Sequence, residues 1–194
     1  DLPESYKDSS FVLLGNIHPA LQMHVLDQLA GNSFVLADTI DLWIETERES
    51  LLHLIKKVSL FVINDSEAEE LTGESNVILA GEKLCQMGPE SVIIKKGEHG
   101  AILFHEEGMF ALPAYPVTQL HDPTGAGDSF AGALIGRLAS RNRSDFSAIK
   151  EAMLYATCTA SLTVEAFGCE RLESAGKSEI EERVASLNQL ISVT

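Results

Sequence analysis

The sequence predicts an α/β fold in which helices cover a mostly parallel β-sheet. Short runs of β-branched and aliphatic residues alternate with longer stretches whose apolar residues recur at helical spacing. Glycines and polar capping residues separate these stretches, as expected where strands and helices meet. The repeated order of strand, helix and strand is typical of parallel sheets, because two parallel strands need a long crossover between them.

The first half of the chain contains three strands, each followed by helix. Strands are predicted at residues 11–14, 34–37 and 60–63, and helices at residues 18–30, 45–57, 67–71 and 76–87. The tripeptide Asn64-Asp65-Ser66 caps the short helix, and Gly73 closes it. This part therefore predicts a βαβαβ arrangement followed by two helices.

The second half changes from alternation to helix. A fourth strand is predicted at residues 91–95, and an antiparallel hairpin at residues 101–105 and 109–112, turning at Glu107-Gly108. Helices are predicted at residues 126–139, 144–164 and 178–191, and the middle one is apolar nearly all round and should be buried. No repeat, low-complexity tract or linker interrupts the chain, so residues 1–194 are predicted to form a single domain.

Composition limits the classes of partner. Lysine and arginine number 14 against 29 acidic residues, a net charge of −15, which disfavours nucleic acid and anionic membrane surfaces as partners. No apolar run approaches the about 20 residues that span a bilayer. Cys85, Cys158 and Cys169 lack metal or redox spacing and are expected to be reduced thiols of a cytoplasmic protein. Because the chain begins at Asp1, we expect that the translated protein starts earlier.

The segment Asp122-Pro123-Thr124-Gly125-Ala126-Gly127-Asp128-Ser129-Phe130-Ala131-Gly132 carries most of the chemical information. Two glycines flank one small residue directly before a helix, so free backbone N–H groups converge at the positive end of a helix dipole and can cradle an anion. Asp128 is placed to take a proton from a hydroxyl that attacks a phosphate. Taken alone, Gly-x-Gly-Asp is more typical of a tight loop followed by a favourable first-turn acid.

The whole eleven-residue segment resembles the C-terminal signature of the ribokinase-like, or PfkB, carbohydrate kinases. In the expected order, Asn64-Asp65-Ser66-Glu67 resembles the Asn-x-x-Glu motif of that family, and Lys96-Gly97-Glu98-His99-Gly100 resembles its Gly-x-x-Gly turn. The resemblance extends from the first strand to the last helix and implies a ribokinase-like fold. It begins after the family's N-terminal portion, so the N-terminal strands and the lid over the sugar are expected to be absent.

The resemblance implies ATP-dependent phosphorylation of a hydroxyl on a sugar or nucleoside. Asp128 would be the catalytic base, and the N–H groups of Gly125, Ala126 and Gly127 would form the anion hole. Without the lid, we expect residues 1–194 alone to bind nucleotide weakly and to phosphorylate no sugar. A vitamin kinase of the same superfamily and a lidless nucleotide-binding module without activity remain as alternatives, and a homodimer is an open expectation.

The resemblance also implies a set of nucleotide and cation contacts. The nucleotide would contact Asn64, Glu67, Lys95, Lys96, Gly97, Gly100, Thr124 and Gly168. Asn64 and Glu67 would organise magnesium, Glu67 acting mainly through the waters of the ion, and Asp122 would bind the potassium ion that many relatives hold.

Each of these residues also has a structural interpretation. Asn64 can be a helix N-cap, Asp122 a turn-former, Lys95 and Lys96 a solvated strand end, and Gly168 a helix C-cap. The segment Asp38-Thr39-Ile40-Asp41-Leu42-Trp43 resembles a post-strand segment of the family, although tryptophan is more often a core residue. The six histidines show no metal spacing, and the phosphate loops of P-loop and dinucleotide-binding proteins are missing.

Overall fold

Six strands form one sheet in which the spatial order follows the order along the chain. The computed structural model describes residues 1–192. The strands are β1 (Phe11–Leu14), β2 (Phe34–Asp38), β3 (Leu60–Asn64), β4 (Ser91–Lys95), β5 (Ala101–His105) and β6 (Gly108–Leu112). The first four run parallel and β5 runs antiparallel to β4. This confirms the mostly parallel sheet with a hairpin at its end.

The described residues contain ten α-helices and one short 3₁₀-helix, Gly97–His99. Six precede or join the parallel strands: α1 (Glu4–Lys7), α2 (Pro19–Leu26), α3 (Asp41–Thr46), α4 (Arg48–Ile55), α5 (Asp65–Thr72) and α6 (Val77–Gln86). Four follow the hairpin: α7 (Ala126–Arg141), α8 (Phe146–Thr163), α9 (Glu170–Ser174) and α10 (Lys177–Ile191). Within residues 1–192, no helix is both long and apolar enough to cross a bilayer.

Contacts within the chain define two compact units. The first comprises residues 1–97 and 101–111, and the second comprises residues 98–100 and those from 112 onward. That residues 1–194 form one domain therefore stays a prediction.

The core of the first unit lies between one face of the sheet and the helices. Alternate strand residues point to this face, because successive side chains of a strand lie on opposite sides. The strands contribute Leu14, Val35, Ala37, Phe61, Ile63, Val92, Ile94 and Phe104, and the helices contribute Ile44, Leu51, Leu54, Ile55, Ala68, Leu71, Ala80 and Leu84. Residues on the opposite face, such as Leu36, Val62 and Ile93, are also fully buried, as expected for central strands of a parallel sheet.

The second unit is built around α8. Its residues Ile149, Ala152, Met153, Ala156, Cys158 and Leu162 are at most 1% exposed, which confirms that this helix is buried. Helices α7 and α10 both pack against it. The carboxyl end of α8 is thereby held between neighbouring helices.

The structure differs from the sequence prediction at several boundaries. The helix predicted over residues 45–57 is two helices, α3 and α4, which meet at Glu47, where the backbone leaves helical geometry with φ −131°. Helix α2 ends at Leu26 rather than at residue 30, because Gln28 and Leu29 donate to carbonyls three residues back and form turns. The hairpin turns at residues 106–107, and Gly108 already belongs to β6. The short helices α1 and α9 were not predicted.

Candidate functional site

The loop before α7 ends in a backbone conformation that favours glycine. Gly125 is the N-cap residue of α7, with φ +81°, in the left-handed region. The helix then runs for 16 residues without a side-chain cap at its start. Its first-turn N–H groups therefore lack the usual side-chain acceptor, and the positive end of the helix dipole is open to a ligand.

Some of the backbone N–H groups at the start of α7 donate within the loop, and three have no acceptor. The Ala126 N–H donates to the Pro123 carbonyl at 3.1 Å, and the Ser129 N–H donates to the Gly125 carbonyl at 2.9 Å. Within residues 1–192, the N–H groups of Gly125, Gly127 and Asp128 have no hydrogen-bond partner. The Ala126 N–H is thus used inside the loop, and Asp128 supplies a third free donor beside Gly125 and Gly127. That the N–H groups of Gly125, Ala126 and Gly127 form an anion hole stays a prediction.

Asp128 lies in the first turn of α7, and its side chain is exposed. Among residues 1–192, its carboxylate accepts no hydrogen bond and forms no ion pair. A carboxylate in this position is therefore available to a substrate hydroxyl, beside donors that can hold an anion.

The loop is fixed by the carboxyl end of α8. The Val164 carbonyl accepts from the N–H of His121 at 2.8 Å and from that of Asp122 at 3.4 Å. One residue earlier, the Thr163 hydroxyl donates to the Ser129 hydroxyl of α7 at 2.8 Å. Both the entry to the loop and the helix that follows it are thus anchored to the same point on α8.

Asp122 shapes the loop in the way expected of a turn-former. Its Oδ1 accepts from the Thr124 N–H at 2.9 Å, and this bond lowers the pKa of the carboxyl. A potassium contact at Asp122 stays a prediction, as does a nucleotide contact at the exposed Thr124.

In the first unit, Asn64 and Glu67 form a reciprocal capping pair at the start of α5. The Asn64 Oδ1 accepts from the Glu67 N–H at 2.8 Å, and the Glu67 Oε2 accepts from the Asn64 N–H at 2.9 Å. Ser66 also donates its hydroxyl to Asn64 Oδ1 at 2.8 Å. The N-cap interpretation of Asn64 is therefore confirmed, and it places both side chains at the carboxyl end of β3.

A small charge cluster surrounds this capping pair. Lys95, at the carboxyl end of β4, lies 3.4 Å from both carboxylate oxygens of Asp38, at the end of β2. The side chain of Lys95 is 18% exposed, so its interpretation as a solvated strand end is wrong. Burial raises the pKa of Glu67, while the Asn64 N–H and the charge of Lys95 oppose that rise. Ligands of α/β proteins commonly bind at this edge of a sheet.

The residues of this cluster suit a cation that arrives with a phosphate ligand. Within residues 1–192, no three or more His, Cys, Asp or Glu side chains group as a metal site. Magnesium usually keeps several waters and needs only one or two carboxylates besides phosphate oxygens. Burial is the main cause of the raised pKa of Glu67, and the nearby charge of Lys95 lowers that pKa, so a hydrated cation near this carboxylate would favour its charged form further.

The turn after β4 has two different glycines. Gly97, with φ +54°, faces open space, whereas a Cβ on Gly100, with φ +86°, would clash with the backbone of Leu112 and Pro113. Gly100 is therefore required by packing, whatever its role toward a nucleotide. Lys96 is half-buried, and its phosphate contact stays a prediction.

Gly168 does not cap a helix. Helix α8 ends at Thr163 with Val164 as its C-cap residue, so Gly168, with φ +58°, lies in the connection to α9. The neighbouring Phe167 is 75% exposed. The C-cap interpretation is wrong, and the nucleotide contact stays a prediction.

Sequence reasoning missed two side chains that hold strand ends together. Asp38 was noticed only as part of a resembling segment, yet it is the partner of Lys95. Gln22 is 1% exposed, and its Nε2 donates to the carbonyls of Leu14, Gly15 and Asp38 at 3.1, 2.9 and 3.2 Å. An acid at a predicted strand end was the available signal for Asp38. For Gln22, no sequence pattern gave one. Trp43 is half-buried and donates to Asn16 Oδ1 at 2.8 Å.

Comparison with known proteins agrees with this architecture. A family model described as pfkB family carbohydrate kinase matches residues 20–175. Cytidine kinase of Thermococcus kodakarensis is 31% identical over an alignment of 140 residues that covers 69% of this chain and 49% of that protein. Aminoimidazole riboside kinase of Salmonella typhimurium is 34% identical over 110 residues, 57% of this chain and 34% of that protein. The chain thus spans half or less of the length of these curated relatives.

Solved structures confirm the ribokinase-like fold. The crystal structure of aminoimidazole riboside kinase from Salmonella enterica, complexed with aminoimidazole riboside and an ATP analog, superposes with a TM-score of 0.78 at 24% identity and covers 92% of this chain and 63% of that one. A putative ribokinase II from E. coli, in complex with ATP and Mg²⁺, gives a TM-score of 0.73 at 22% identity, with 94% and 60% covered. With the family model matching most of the sequence, the chain belongs to the pfkB family of carbohydrate kinases.

Proposed function

We propose that this chain carries the phosphoryl-transfer part of a kinase that uses ATP to phosphorylate a hydroxyl group of a sugar or nucleoside. The observation that supports this most strongly is the start of α7, where three free amides lie beside an exposed Asp128. Phosphoryl transfer needs mainly positioning and electrostatic stabilisation, and this helix start provides both in one turn.

In the proposed reaction, the Asp128 carboxylate takes the proton of the acceptor hydroxyl. The acceptor oxygen forms a bond to the γ-phosphorus, the bond from that phosphorus to the bridging oxygen breaks, and ADP leaves with the electron pair. The amides of Gly125, Gly127 and Asp128 donate to the oxygens of the transferring group, where negative charge concentrates. Because these donors are fixed before substrate binds, they need no reorganisation during the reaction.

The net charge of −15 makes neutralisation of ATP a separate requirement. Magnesium, when bound, offsets the phosphate charge, and Asn64 and Glu67 are the residues proposed to hold its waters. Lys95 supplies a fixed positive charge in the same cluster of the first unit. We therefore propose that ATP binds as its magnesium complex.

The proposal is tested by measuring ATP affinity and turnover separately. Both are measured on residues 1–194 and on the full-length protein, where the two differ, with magnesium and a panel of nucleosides and sugars as acceptors. In the active form, Asp128→Asn should lower turnover by about 10²- to 10⁴-fold and leave ATP affinity, measured by titration calorimetry, nearly unchanged. Asp27→Asn, at an exposed ion pair of the first unit, is the charge-matched control.

The outcomes separate the alternatives. Magnesium-dependent ATP binding with transfer to a vitamin alone would favour a vitamin kinase. Such binding with no transfer to any acceptor would favour a nucleotide-binding module. Absence of ATP binding in both forms, or near-native turnover of Asp128→Asn, would contradict the proposed function.

A further inference from the structure

Three consecutive residues at the end of α8 tie together separate parts of the second unit. The hydroxyl of Thr163 binds Ser129 of α7, and the carbonyl of Val164 binds the N–H groups that begin the loop 121–125. The next residue, Glu165, forms ion pairs with Arg171 and Arg183. Glu165 thus connects the end of α8, which holds the anion-binding loop, to α9 and α10.

Arg183 is the most enclosed member of this charge cluster. Its side chain is 11% exposed, against 22% for Glu165. Its Nη2 lies 2.8 Å from both carboxylate oxygens of Glu165, and its Nη1 donates to the Ser161 hydroxyl at 2.8 Å. The guanidinium also stacks over Tyr115, with 4.9 Å from Cζ to the ring centroid. It therefore contacts α8, the segment that leads to the loop, and the residue that follows Val164.

The cluster is extended by a second arginine. Arg171 donates through Nε to Glu165 at 3.3 Å and through Nη2 to Glu179, and the bond to Glu179 raises the pKa of Arg171. Glu179 lies 3.8 Å from Arg183. Two arginines and two glutamates thus share their charges in a half-buried site, which restricts the position of Glu165 more than a single exposed pair would.

We propose that Arg183 is a positioning residue for the anion-binding start of α7, acting through Glu165 and the end of α8. By fixing Glu165, it holds the Val164 carbonyl and the Thr163 hydroxyl where they orient the loop and the first turn of α7. This inference rests on the proposed function, because the geometry matters for an anion bound by Gly125 and Gly127.

A purely electrostatic effect and a loss of positioning predict opposite changes in ATP affinity for the substitution Glu165→Gln. Glu165→Gln removes a negative charge, so electrostatics alone would strengthen binding of ATP, whereas loss of positioning weakens it. Arg183→Gln weakens binding in both cases. We expect each variant to lower the affinity for magnesium–ATP by about 2- to 30-fold, the range of effects transmitted through packed networks. The double variant should resemble the single ones, because each breaks the same connection.

Matched controls separate positioning from charge and from stability. Lys177→Gln and Glu182→Gln change the net charge by the same amounts at exposed sites of α10, and both should leave affinity unchanged. Leu187→Ala, at a 1% exposed position of α10, should lower stability through a cavity but not alter ATP affinity in the folded protein. Arg183→Lys should retain only part of the affinity for magnesium–ATP, because lysine lacks the second nitrogen that reaches Ser161.

Hydrogen exchange gives a readout that does not depend on ATP. In Glu165→Gln and Arg183→Gln, the His121 amide should exchange faster than in Leu187→Ala, when the compared variants have the same free energy of unfolding. Tighter ATP binding by Glu165→Gln, or unchanged exchange at His121 in both variants, would overturn the inference. Failure of the unsubstituted protein to bind ATP would instead contradict the proposed function, while the exchange measurement would still decide whether Arg183 positions the loop.

Discussion

The hydroxyl groups of Ser129 and Thr163 are joined by a hydrogen bond of 2.8 Å, which connects the first turn of α7 to the last residue of α8. Thr163 is buried and Ser129 is half-buried, so water competes poorly for these hydroxyl groups. Because Ser129 immediately follows Asp128, this bond also fixes the turn that carries the proposed base.

Replacing one of these hydroxyls should cost measurable stability. Ser129→Ala leaves the Thr163 hydroxyl without its acceptor, and we expect the free energy of unfolding to fall by about 1 kcal/mol. Urea denaturation followed by circular dichroism measures this change. Ser140→Ala, near the exposed end of α7, is the control and should change stability less. Equal losses in the two variants would show that the interhelical bond contributes nothing specific.

The two glycines of the turn after β4 should respond differently to alanine. In Gly97→Ala the new methyl group faces open space. The free energy of unfolding should fall by about 1–2 kcal/mol, mainly because alanine is strained at a positive φ. In Gly100→Ala the positive φ has the same cost, and the new methyl group also clashes with the Leu112 carbonyl and Pro113. The free energy of unfolding should therefore fall considerably more than in Gly97→Ala. Thermal unfolding of both variants tests the difference, and a Gly100→Ala protein as stable as Gly97→Ala would contradict the close approach.

Glu67 should make stability depend on pH in an unusual direction for a carboxylate. Burial raises the pKa of this carboxyl in the folded protein above the 4.5 of a free glutamate side chain. Above pH 4.5, the folded state therefore holds a proton that the unfolded state has lost. Stability from this group is present below pH 4.5 and falls as pH rises through the raised pKa.

Glu67→Gln should therefore gain stability relative to the unsubstituted protein as pH rises from 4 to 7. The glutamine amide oxygen can still accept from the Asn64 N–H, so the capping pair is kept. Urea midpoints across this range measure the difference, with Glu70→Gln on the exposed face of α5 as the control. A difference that shrinks with rising pH would show that the Glu67 pKa is not raised.

The three cysteines should react with a thiol reagent in a fixed order. Cys169 is exposed, Cys85 is partly buried with its pKa raised by burial, and Cys158 is fully buried. Burial raises the pKa of Cys158 to about 12, and the thiolate is the reactive form. At pH 8, one thiol should react rapidly, and Cys169→Ser should remove that phase. Fast labelling of Cys158 in the folded protein, read by peptide mass spectrometry, would contradict the burial.

Strand β1 is at one end of the sheet, and among residues 1–192 only β2 pairs with it. Its other edge presents backbone groups that can pair with another chain. We expect residues 1–194 to self-associate as concentration rises, measured by sedimentation velocity. Leu13→Lys, in β1, should reduce association, whereas Leu79→Lys, at a 50% exposed position of α6, should not. A concentration-independent monomer mass would contradict the prediction.

The strands were largely predictable because each is a short apolar run bounded by capping or turn residues. The limits of β4 and β5 agree with the sequence prediction at both ends. The break at Glu47 was not predictable, since the residues around it continue a helical pattern and only the backbone conformation separates α3 from α4. Local pattern determines that an element exists better than it determines where the chain bends.

In the candidate site, residues whose roles are local were predicted, and residues whose roles depend on distant partners were not. The capping motif of Asn64 and Glu67 spans four residues and can be recognised from sequence. The ion pair of Arg183 with Glu165 joins positions 18 residues apart, and an arginine within an amphipathic helix gives no signal of such a distant partner. Likewise, the engagement of the Ala126 amide depends on the actual turn at Pro123.

The agreement between strand order and chain order bears on how the first unit is synthesised and folded. Phe11 pairs with Phe34, and Leu60 pairs with Ser91. Each parallel strand therefore pairs with the next strand of the chain to leave the ribosome. These pairings close loops of 23 and 31 residues, each the length of one crossover rather than of the whole chain. We therefore expect the nascent chain to add strands one after another during translation, each arriving strand covering the edge left by the one before it.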